Sequence, residues 1–244
     1  MKLEFMTLFP EMCEAVMGES IIGRARAAGA VEIQCHQIRD FAGNKHNRVD
    51  DSPYGGGMGM LLQAEPIYQC YAALRGEGEK PYVIYMSPKG KTFTQARAVE
   101  LSALPRVVFL CGHYEGIDQR VLDEIVDEEI SIGDFVLTGG ELPALCVADA
   151  ICRMLPGVLA DEECFTEESH FSGLLEYPHY SRPAVWHGVP VPEVLLSGHH
   201  QMIRDWRREQ SLRVTLEKRL ELLETATLTD RDREYLRTLL AQKE

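Results

Sequence analysis

Residues 107–144 of the chain read VVFLCGHYEGIDQRVLDEIVDEEISIGDFVLTGGELPA, and this stretch indicates the fold. Two apolar runs, at 107–110 and 130–137, each lead into a turn that contains glycines. Apolar runs bounded by turn residues are typical of buried strands, and strands that alternate with helices indicate a parallel sheet. Ligands of such sheets bind beyond the carboxyl ends of the strands. We therefore expect a ligand site at these two turns.

The flanking segments continue the same alternation of strands and helices. Further strands are predicted at residues 3–8, 31–37 and 81–87. The last of these ends in Pro88-Lys89-Gly90, which is a third strand end with a turn. Helices are predicted at 11–28, 63–74, 94–103 and 142–154. The pattern predicts an α/β domain with a mostly parallel sheet over residues 1–160.

The composition changes after residue 160. Residues 161–190 are acidic, contain prolines and show no periodic pattern, which predicts an interdomain linker. Residues 191–244 have the pattern of a small helical domain, with one helix from a Ser197 cap to about Gln210 and another at 211–223. Thr229 or Asp230 is predicted to cap a last helix. Four arginines on the first two helices form a local basic group: Arg204, Arg207, Arg208 and Arg213.

Composition limits the classes of function. The 244 residues carry a net charge of −13, which argues mildly against a nucleic-acid partner, although a local basic face can still bind RNA. The seven cysteines form no CxxC pair, so we expect a reducing cytoplasm and neither a disulfide framework nor structural zinc. No apolar run approaches ~18 residues, which indicates neither secretion nor membrane insertion.

Short motifs do not choose a reaction. The glycines at 55–57 lack the Lys-Ser/Thr of a Walker motif and the third glycine of a dinucleotide fingerprint. Cys111 beside His113 is interpreted as a buried thiol, and His199 and His200 point in different directions on a helix, which disfavours a shared metal. Glycine turns expose backbone groups that suit an adenine ring and a ribose. The residues alone therefore predict a nucleotide-like ligand at three strand ends.

Longer motifs occur in a fixed order along the chain. They are DDSPYGGGMGM at 50–60, YMSPKGK at 85–91, LCGHYEGIDQR at 110–120, SIGDFVLTGGELPA at 131–144, PHYSRP at 178–183 and IRDWRREQSL at 203–212. Together they resemble the motifs of bacterial tRNA (guanine-N1)-methyltransferases of the SPOUT superfamily. The resemblance extends over nearly the whole chain.

This resemblance implies a fold and an activity. The implied fold is a SPOUT-type α/β domain whose mostly parallel sheet contains a deep trefoil knot, against the general rule that chains avoid knots, followed by a small all-helical domain. The implied enzyme is a cytoplasmic homodimer whose active sites are shared between subunits. It moves a methyl group from S-adenosylmethionine to N1 of the guanosine immediately 3′ of the tRNA anticodon, and it needs magnesium for activity.

The resemblance also implies site residues. Matching positions for cofactor binding are Tyr85, Ser87, Pro88, Gly112, Tyr114, Glu115, Ile132, Gly133, Phe135, Leu137, Gly139 and Gly140. Arg153 matches an arginine used in catalysis. The family's general base is an aspartate in the linker, and Glu168 stands at the matching position, with Glu167 as the alternative. The four basic residues at 204, 207, 208 and 213 are expected to contact RNA.

Other functions are compatible with the same residues. A related SPOUT methyltransferase could act on another RNA. A catalytically silent RNA-binding protein would retain the fold, and the glutamate at position 168 in place of aspartate favours it. A metabolite-binding Rossmann protein is disfavoured because the dinucleotide fingerprint is missing.

Overall fold

A computed structural model describes residues 1–78, 80–159, 165 and 168–241 of the chain. The chain divides into two compact units, Met1–Asp161 and Glu162–Glu244. No helix among the described residues is long and apolar enough to span a lipid bilayer.

The first unit is built on a parallel five-stranded sheet. Its strands are β1 (Lys2–Thr7), β2 (Glu32–Gln37), β5 (Tyr82–Thr92), β6 (Arg106–Cys111) and β7 (Glu128–Ser131), in the spatial order β2-β1-β6-β5-β7. Every neighbouring pair in this sheet is parallel. Two short strands, β3 (Asp50–Asp51) and β4 (Leu61–Leu62), form a separate antiparallel pair. The predicted α/β architecture with a mostly parallel sheet is therefore confirmed.

Helices cover both faces of this sheet. They are α1 (Pro10–Met17), α2 (Ser20–Ala27), α3 (Ala64–Arg75), α4 (Gln95–Ser102), α5 (Gln119–Ile125) and α6 (Glu141–Cys152). Alternate residues of β6 point to opposite faces, as the pleat of a strand requires. Phe109 joins the hydrophobic cluster that includes α6 and stacks on Phe5 at 5.2 Å, whereas Val108 joins the cluster that includes α3 and α5. A parallel sheet buried on both faces needs such continuous apolar strands.

Two predicted elements of this unit are wrong. Residues 11–28 do not form one helix, because the chain breaks between α1 and α2, where Ser20 has a φ of 54°. The strand predicted at 130–137 ends at Ser131, whose hydroxyl accepts a hydrogen bond from the N–H of Gly133 at 3.1 Å. Gly133 has a φ of 148°, which turns the chain out of the sheet. The residues after it are apolar because they line a pocket.

The second unit is mostly helical. It contains α7 (Glu193–Leu196), α8 (His200–Lys218), α9 (Asp230–Ala241) and a short hairpin of β8 (Val185–Trp186) and β9 (Val189–Pro190). Its core is formed by Leu174, Leu212 and Leu236. Leu174 lies in the predicted linker, so at this position the segment packs into the core of the second unit.

Helix boundaries in the second unit also differ from the prediction. The predicted helices at 197–210 and 211–223 are one helix, α8, which begins after His199. Ser211 lies within this helix, and its carbonyl also accepts a hydrogen bond from the Thr215 hydroxyl at 2.7 Å, one turn along. Thr229 is the cap of α9, since the N–H of Asp232 donates to its hydroxyl and its own N–H donates to the Asp232 carboxylate.

Candidate active site

A pocket lies at the carboxyl ends of β5, β6 and β7. Its empty space, including the part open to solvent, is about 700 Å³. Three loops line it, at residues 85–88, 112–116 and 130–140, together with Pro143 at the start of α6. This is the edge at which parallel sheets bind ligands. The stretch 107–144 thus contributes two of the three loops, as predicted from its two strand ends.

The first loop is a bulge within β5. The pairing of β5 with β7 shifts register between Met86 and Lys91. Gly90 allows this approach, because a Cβ at that position would lie 2.4 Å from the carbonyl carbon of Glu129. The hydroxyl of Ser87 accepts a hydrogen bond from the N–H of Lys89 at 3.2 Å, which holds the bulge. Residues 87 and 88 are thereby directed at the pocket.

The second loop follows β6. Tyr114 has a φ of 59°, in the left-handed region that non-glycine residues rarely adopt. A turn closes the loop through a hydrogen bond from the N–H of Gly116 to the carbonyl of His113 at 3.1 Å. Tyr85 packs against Gly112, whose hypothetical Cβ would be 3.1 Å from the tyrosine oxygen. Burial raises the pKa of Tyr85, with a further contribution from Glu129, so the phenol is neutral at pH 7.

The third loop crosses the end of the second. The N–H of Gly140 donates to the carbonyl of Gly112 at 2.8 Å, and Gly139 forms a β-bridge with His113. A Cβ on Gly140 would lie 2.7 Å from the Cα of Cys111, so only glycine permits this crossing. Burial, with the charge of Glu141, raises the pKa of Cys111 well above its ordinary value. Cys111 is therefore a buried thiol, as interpreted from the sequence, and is unsuited to act as a nucleophile.

A buried carboxylate lies beneath the two crossing loops. Glu141, in the first turn of α6, is 2% exposed. Its Oε1 accepts a hydrogen bond from the hydroxyl of Thr7 at 2.5 Å, and its Oε2 lies 2.7 Å from Nε2 of His113. None of these three residues was among the site residues predicted from the sequence. The position of Glu141 directly after Gly139-Gly140 was a usable signal, but Thr7 had none.

The structure brings together most of the predicted cofactor-binding residues. All of them line the pocket except Gly133, which lies behind the Phe135 ring; a Cβ on Gly133 would be 2.7 Å from that ring. Arg153, by contrast, directly follows the carboxyl end of α6. Because α6 begins at the pocket and its 12 residues extend about 18 Å, the backbone of Arg153 is far from its own pocket.

The predicted base lies in the second unit. Glu168 is half-buried, and its N–H donates to the carbonyl of Phe165 at 3.4 Å. Glu167, the alternative, is outside the described residues. Within the parts of the chain that the structure describes, no group of three histidine, cysteine, aspartate or glutamate side chains could hold a metal ion.

The four predicted RNA-binding arginines lie on α8 but have different surroundings. Arg204 and Arg213 are exposed, and Arg207 lies over the ring of Tyr177 at 4.9 Å. Arg208 forms an ion pair with the buried Asp232 at 2.8 Å. Since a helix turns about 100° per residue, Arg204, Arg207 and Arg208 share one side of α8, whereas Arg213 points about half a turn away from Arg204.

Comparison with known proteins identifies the family. The model of the family described as "tRNA (Guanine-1)-methyltransferase TrmD" matches residues 1–225. A tRNA (guanine-N(1)-)-methyltransferase of Ruminiclostridium cellulolyticum is 56% identical over 223 residues, which cover 91% of this chain and 96% of the relative. Relatives with the same name from Alkaliphilus oremlandii and Dehalococcoides mccartyi are 51% and 49% identical over 249 and 244 residues. These alignments cover all of this chain and 100% and 98% of the two relatives. The resemblance read from the motifs is confirmed, and the chain belongs to the tRNA (guanine-N1)-methyltransferase family.

Proposed function

We propose that this protein transfers a methyl group from S-adenosylmethionine to N1 of the guanosine immediately 3′ of the tRNA anticodon. The observation that carries this proposal is the pocket formed by three glycine-containing strand ends in a chain of this family. The relatives bear the name tRNA (guanine-N(1)-)-methyltransferase, and the alignments with this chain cover almost their entire length.

The pocket fits the proposed methyl donor. The loops offer backbone N–H and C=O groups without side-chain obstruction, as expected of a site that orients a small ligand through a few polar groups. Phe135, Leu137 and Pro88 supply apolar surface for an adenine ring. Glu115 supplies a negative charge, which suits a positively charged ligand. When bound, S-adenosylmethionine supplies a methyl group that its sulfonium already activates.

The chain must then align the acceptor and remove a proton. N1 of guanosine carries a proton at neutral pH, so methylation benefits from a general base within reach. The Glu168 carboxylate is the proposed base. Arg153 is proposed to lie beside the negative charge that guanine gains when this proton leaves. Alignment of the two reactants by the loops supplies the rest of the rate enhancement.

We also infer that the protein is a homodimer with shared active sites. The position of Arg153 supports this inference, because α6 places it about 18 Å from the start of the helix at its own pocket. An arginine that acts in catalysis from there needs a pocket supplied by another subunit. Closed two-fold dimers are the commonest assemblies that share sites in this way.

The proposed trefoil knot is supported by the path of the chain. Strand β7 pairs with β5 on the side opposite to β6. After β7 the third loop returns across the ends of these strands and meets Gly112 at the end of β6. Helix α6 then packs against α1 and α4. A trefoil knot requires that one part of the chain passes through a loop formed by another part, and this crossing of the third loop over the second is consistent with such a path.

RNA binding is proposed for the basic side of α8. Arg204, the exposed arginine of this side, is the main candidate for contacts with phosphates, which position RNA without reading its sequence. Arg208 is already engaged with Asp232, so its role in RNA binding is secondary. Magnesium is expected from the resemblance, although the described residues contain no group of three histidine, cysteine, aspartate or glutamate side chains that could hold it.

Incubation with labelled S-adenosylmethionine, magnesium and tRNA transcripts tests the proposal. One transcript carries guanosine 3′ of the anticodon, and a matched transcript carries adenosine there. We expect methyl incorporation only with the first, and mapping of the product to N1. Methylation of both transcripts would favour an enzyme that acts on another RNA position. Cofactor binding without any turnover would favour the catalytically silent RNA-binding protein.

A further inference from the structure

We propose that Thr7, Glu141 and His113 act as positioning residues that set the gap between the second and third cofactor loops and thereby the affinity for S-adenosylmethionine. This inference rests on the proposed function, since it names the ligand of the same pocket. The three residues come from the end of β1, the start of α6 and the second loop. We call them the Thr7–Glu141–His113 network.

The network is buried and both oxygens of its carboxylate are occupied. Thr7 is fully buried, and its hydroxyl donates to Glu141 while accepting a hydrogen bond from the N–H of Phe9 at 2.9 Å. Nε2 of His113 lies 2.7 Å from the other oxygen of the carboxylate, Oε2 of Glu141. Because a carboxylate only accepts hydrogen bonds, this contact places a proton on Nε2 of His113. The orientation of the imidazole is thereby fixed.

This orientation controls the backbone of both loops. His113 stands between Gly112 and Tyr114, which are both proposed to bind the cofactor. On the other side, a Cβ at Gly139 would lie 2.3 Å from the His113 ring and 2.7 Å from Oε2 of Glu141. The third loop therefore packs directly against the side chains of His113 and Glu141. Any change in the separation of His113 and Glu141 moves the backbone against which the cofactor would bind.

Aromatic contacts extend the network to the surface of the pocket. The ring of Phe9 packs on His113 with centroids 4.9 Å apart, and His113 meets the ring of Tyr114 edge-on at 6.3 Å. Tyr114 has the strained φ of 59° noted above, and such strain persists only where the surroundings hold it. The imidazole is one of the groups in contact with this residue.

Stability alone does not account for a buried carboxylate here. Replacing buried ionic groups by apolar ones is often neutral or stabilising, so a buried carboxylate is weak evidence for a role in stability. The amino end of α6 favours a negative charge at Glu141, which lowers the cost of burying it. Held there, the carboxylate joins three chain segments that are distant in sequence.

Three variants test the network. His113→Leu keeps the bulk but removes the donor, His113→Gln restores an N–H near the position of Nε2, and Glu141→Gln keeps the shape but removes the charge. Glu4→Gln is the matched control, because Glu4 is a buried carboxylate of the same sheet, 1% exposed, bonded to Arg106 and His36 outside the pocket. Binding of S-adenosylmethionine is measured by calorimetry, together with thermal unfolding and turnover at saturating cofactor.

We expect His113→Leu and Glu141→Gln to raise the Kd for S-adenosylmethionine on the order of tenfold, as loss of a buried hydrogen-bond partner predicts. His113→Gln should recover most of the affinity. Turnover at saturating cofactor should change little in all three, and Glu4→Gln should lose stability without a change in Kd. Unchanged affinity in His113→Leu, or an equal rise of Kd in Glu4→Gln, would overturn the network. Wild-type protein that binds no S-adenosylmethionine would instead refute the proposed function and the network with it.

Discussion

At the scale of single residues, Glu168 decides whether the proposed proton transfer is possible. It is one methylene longer than the aspartate that the family resemblance implies, yet it presents the same carboxylate. We expect Glu168→Ala to lower turnover by about 10²–10⁴-fold, the usual contribution of a general base, with no change in the Kd for S-adenosylmethionine. Glu168→Gln should behave in the same way, since it keeps the side-chain shape but takes no proton.

Glu167 supplies the comparison for this prediction. Single-turnover methylation of tRNA by Glu167→Ala and by Glu168→Ala separates the two candidates, because only the base should be needed for chemistry. If Glu167→Ala lost all methylation while Glu168→Ala methylated tRNA at the normal rate, the motif alignment would have to be shifted by one residue and Glu167 would be the base. Loss of cofactor binding in Glu168→Ala would place Glu168 in the donor pocket.

A second residue, Glu4, gives the stability of the first unit a defined pH dependence. Burial alone would raise its pKa, but hydrogen bonds from His36, Arg106 and Lys2 outweigh burial and lower the pKa to about 2 from 4.5. A carboxyl whose pKa is lower in the folded protein stabilises it above the unfolded pKa and loses this contribution as the pH falls towards the folded pKa. The contribution of Glu4 is therefore present at pH 7 and lost between about 4.5 and 2.

Glu4→Gln should lower the free energy of unfolding at pH 7 by on the order of 3 kcal/mol, since each pKa unit corresponds to about 1.4 kcal/mol. The difference from wild type should shrink steadily between pH 4.5 and pH 2 in urea titrations. Glu100→Gln is the control, because its ion pair with Arg97 is exposed and should contribute less than about 1 kcal/mol. A difference that stays constant down to pH 2 would contradict the role of the Glu4 charge.

At the scale of elements, apolar periodicity predicted the strands that are buried on both faces. Residues of β1 and β6 alternate between two hydrophobic clusters, and such runs are visible in the sequence. The same rule failed at 133–137, because the apolar residues Phe135, Val136 and Leu137 line a pocket and are exposed. It also missed the break before α2, which depends on the unusual φ of Ser20, and the short helix α5, which Asp118 caps through the N–H of Arg120.

Gly90 tests the element that shapes the first loop, the bulge of β5. Gly90→Ala should lower stability by about 1–3 kcal/mol, because its Cβ would collide with the backbone of Glu129 and push β7 away from β5. Binding of S-adenosylmethionine should weaken as well, since Ser87 and Pro88 precede this contact in the pocket. Denaturant titration and calorimetry measure the two effects.

Gly78→Ala is the matched control for this substitution. Among the described residues and apart from its chain neighbours, a Cβ at position 78 would come nearest to the carbonyl oxygen of Arg75, at 3.7 Å, which is an ordinary contact. Its stability should therefore stay within about 0.5 kcal/mol of wild type. Equal stability of Gly90→Ala and Gly78→Ala would show that β7 can yield at the bulge without cost.

At the scale of the whole molecule, the sequence predicted the strand ends that line the pocket but not how distant segments meet. Each strand end could be recognised from its own glycines, because turn chemistry is local. The order β6-β5-β7 and the contact between Thr7 and Glu141, 134 residues apart, depend on the complete topology. Likewise, only the folded chain shows that Arg153 is remote from its own pocket, because this separation comes from the length of α6. Such long-range relations require the structure.

The proposed sharing of active sites between subunits leads to a prediction about a heterodimer of two different variants. Glu168→Ala lacks the base but keeps its pocket. The double variant Phe135→Asp with Leu137→Asp keeps Glu168 but places two charges on the exposed apolar lining of the pocket, which should abolish cofactor binding without unfolding the chain. Each homodimer should be inactive, whereas a heterodimer should regain about half of wild-type activity, because one of its two sites combines an intact pocket with an intact carboxylate.

Co-expression of the two variants with different affinity tags allows the heterodimer to be isolated in two steps. Light scattering should give about twice the chain mass of 27.5 kDa for the heterodimer and for wild type. If pocket and base come from the same subunit, the heterodimer contains no complete site and its methylation of tRNA remains at the level of the two homodimers. Restored activity can arise only if the carboxylate of one subunit reaches the donor held by the other, since neither chain alone carries both.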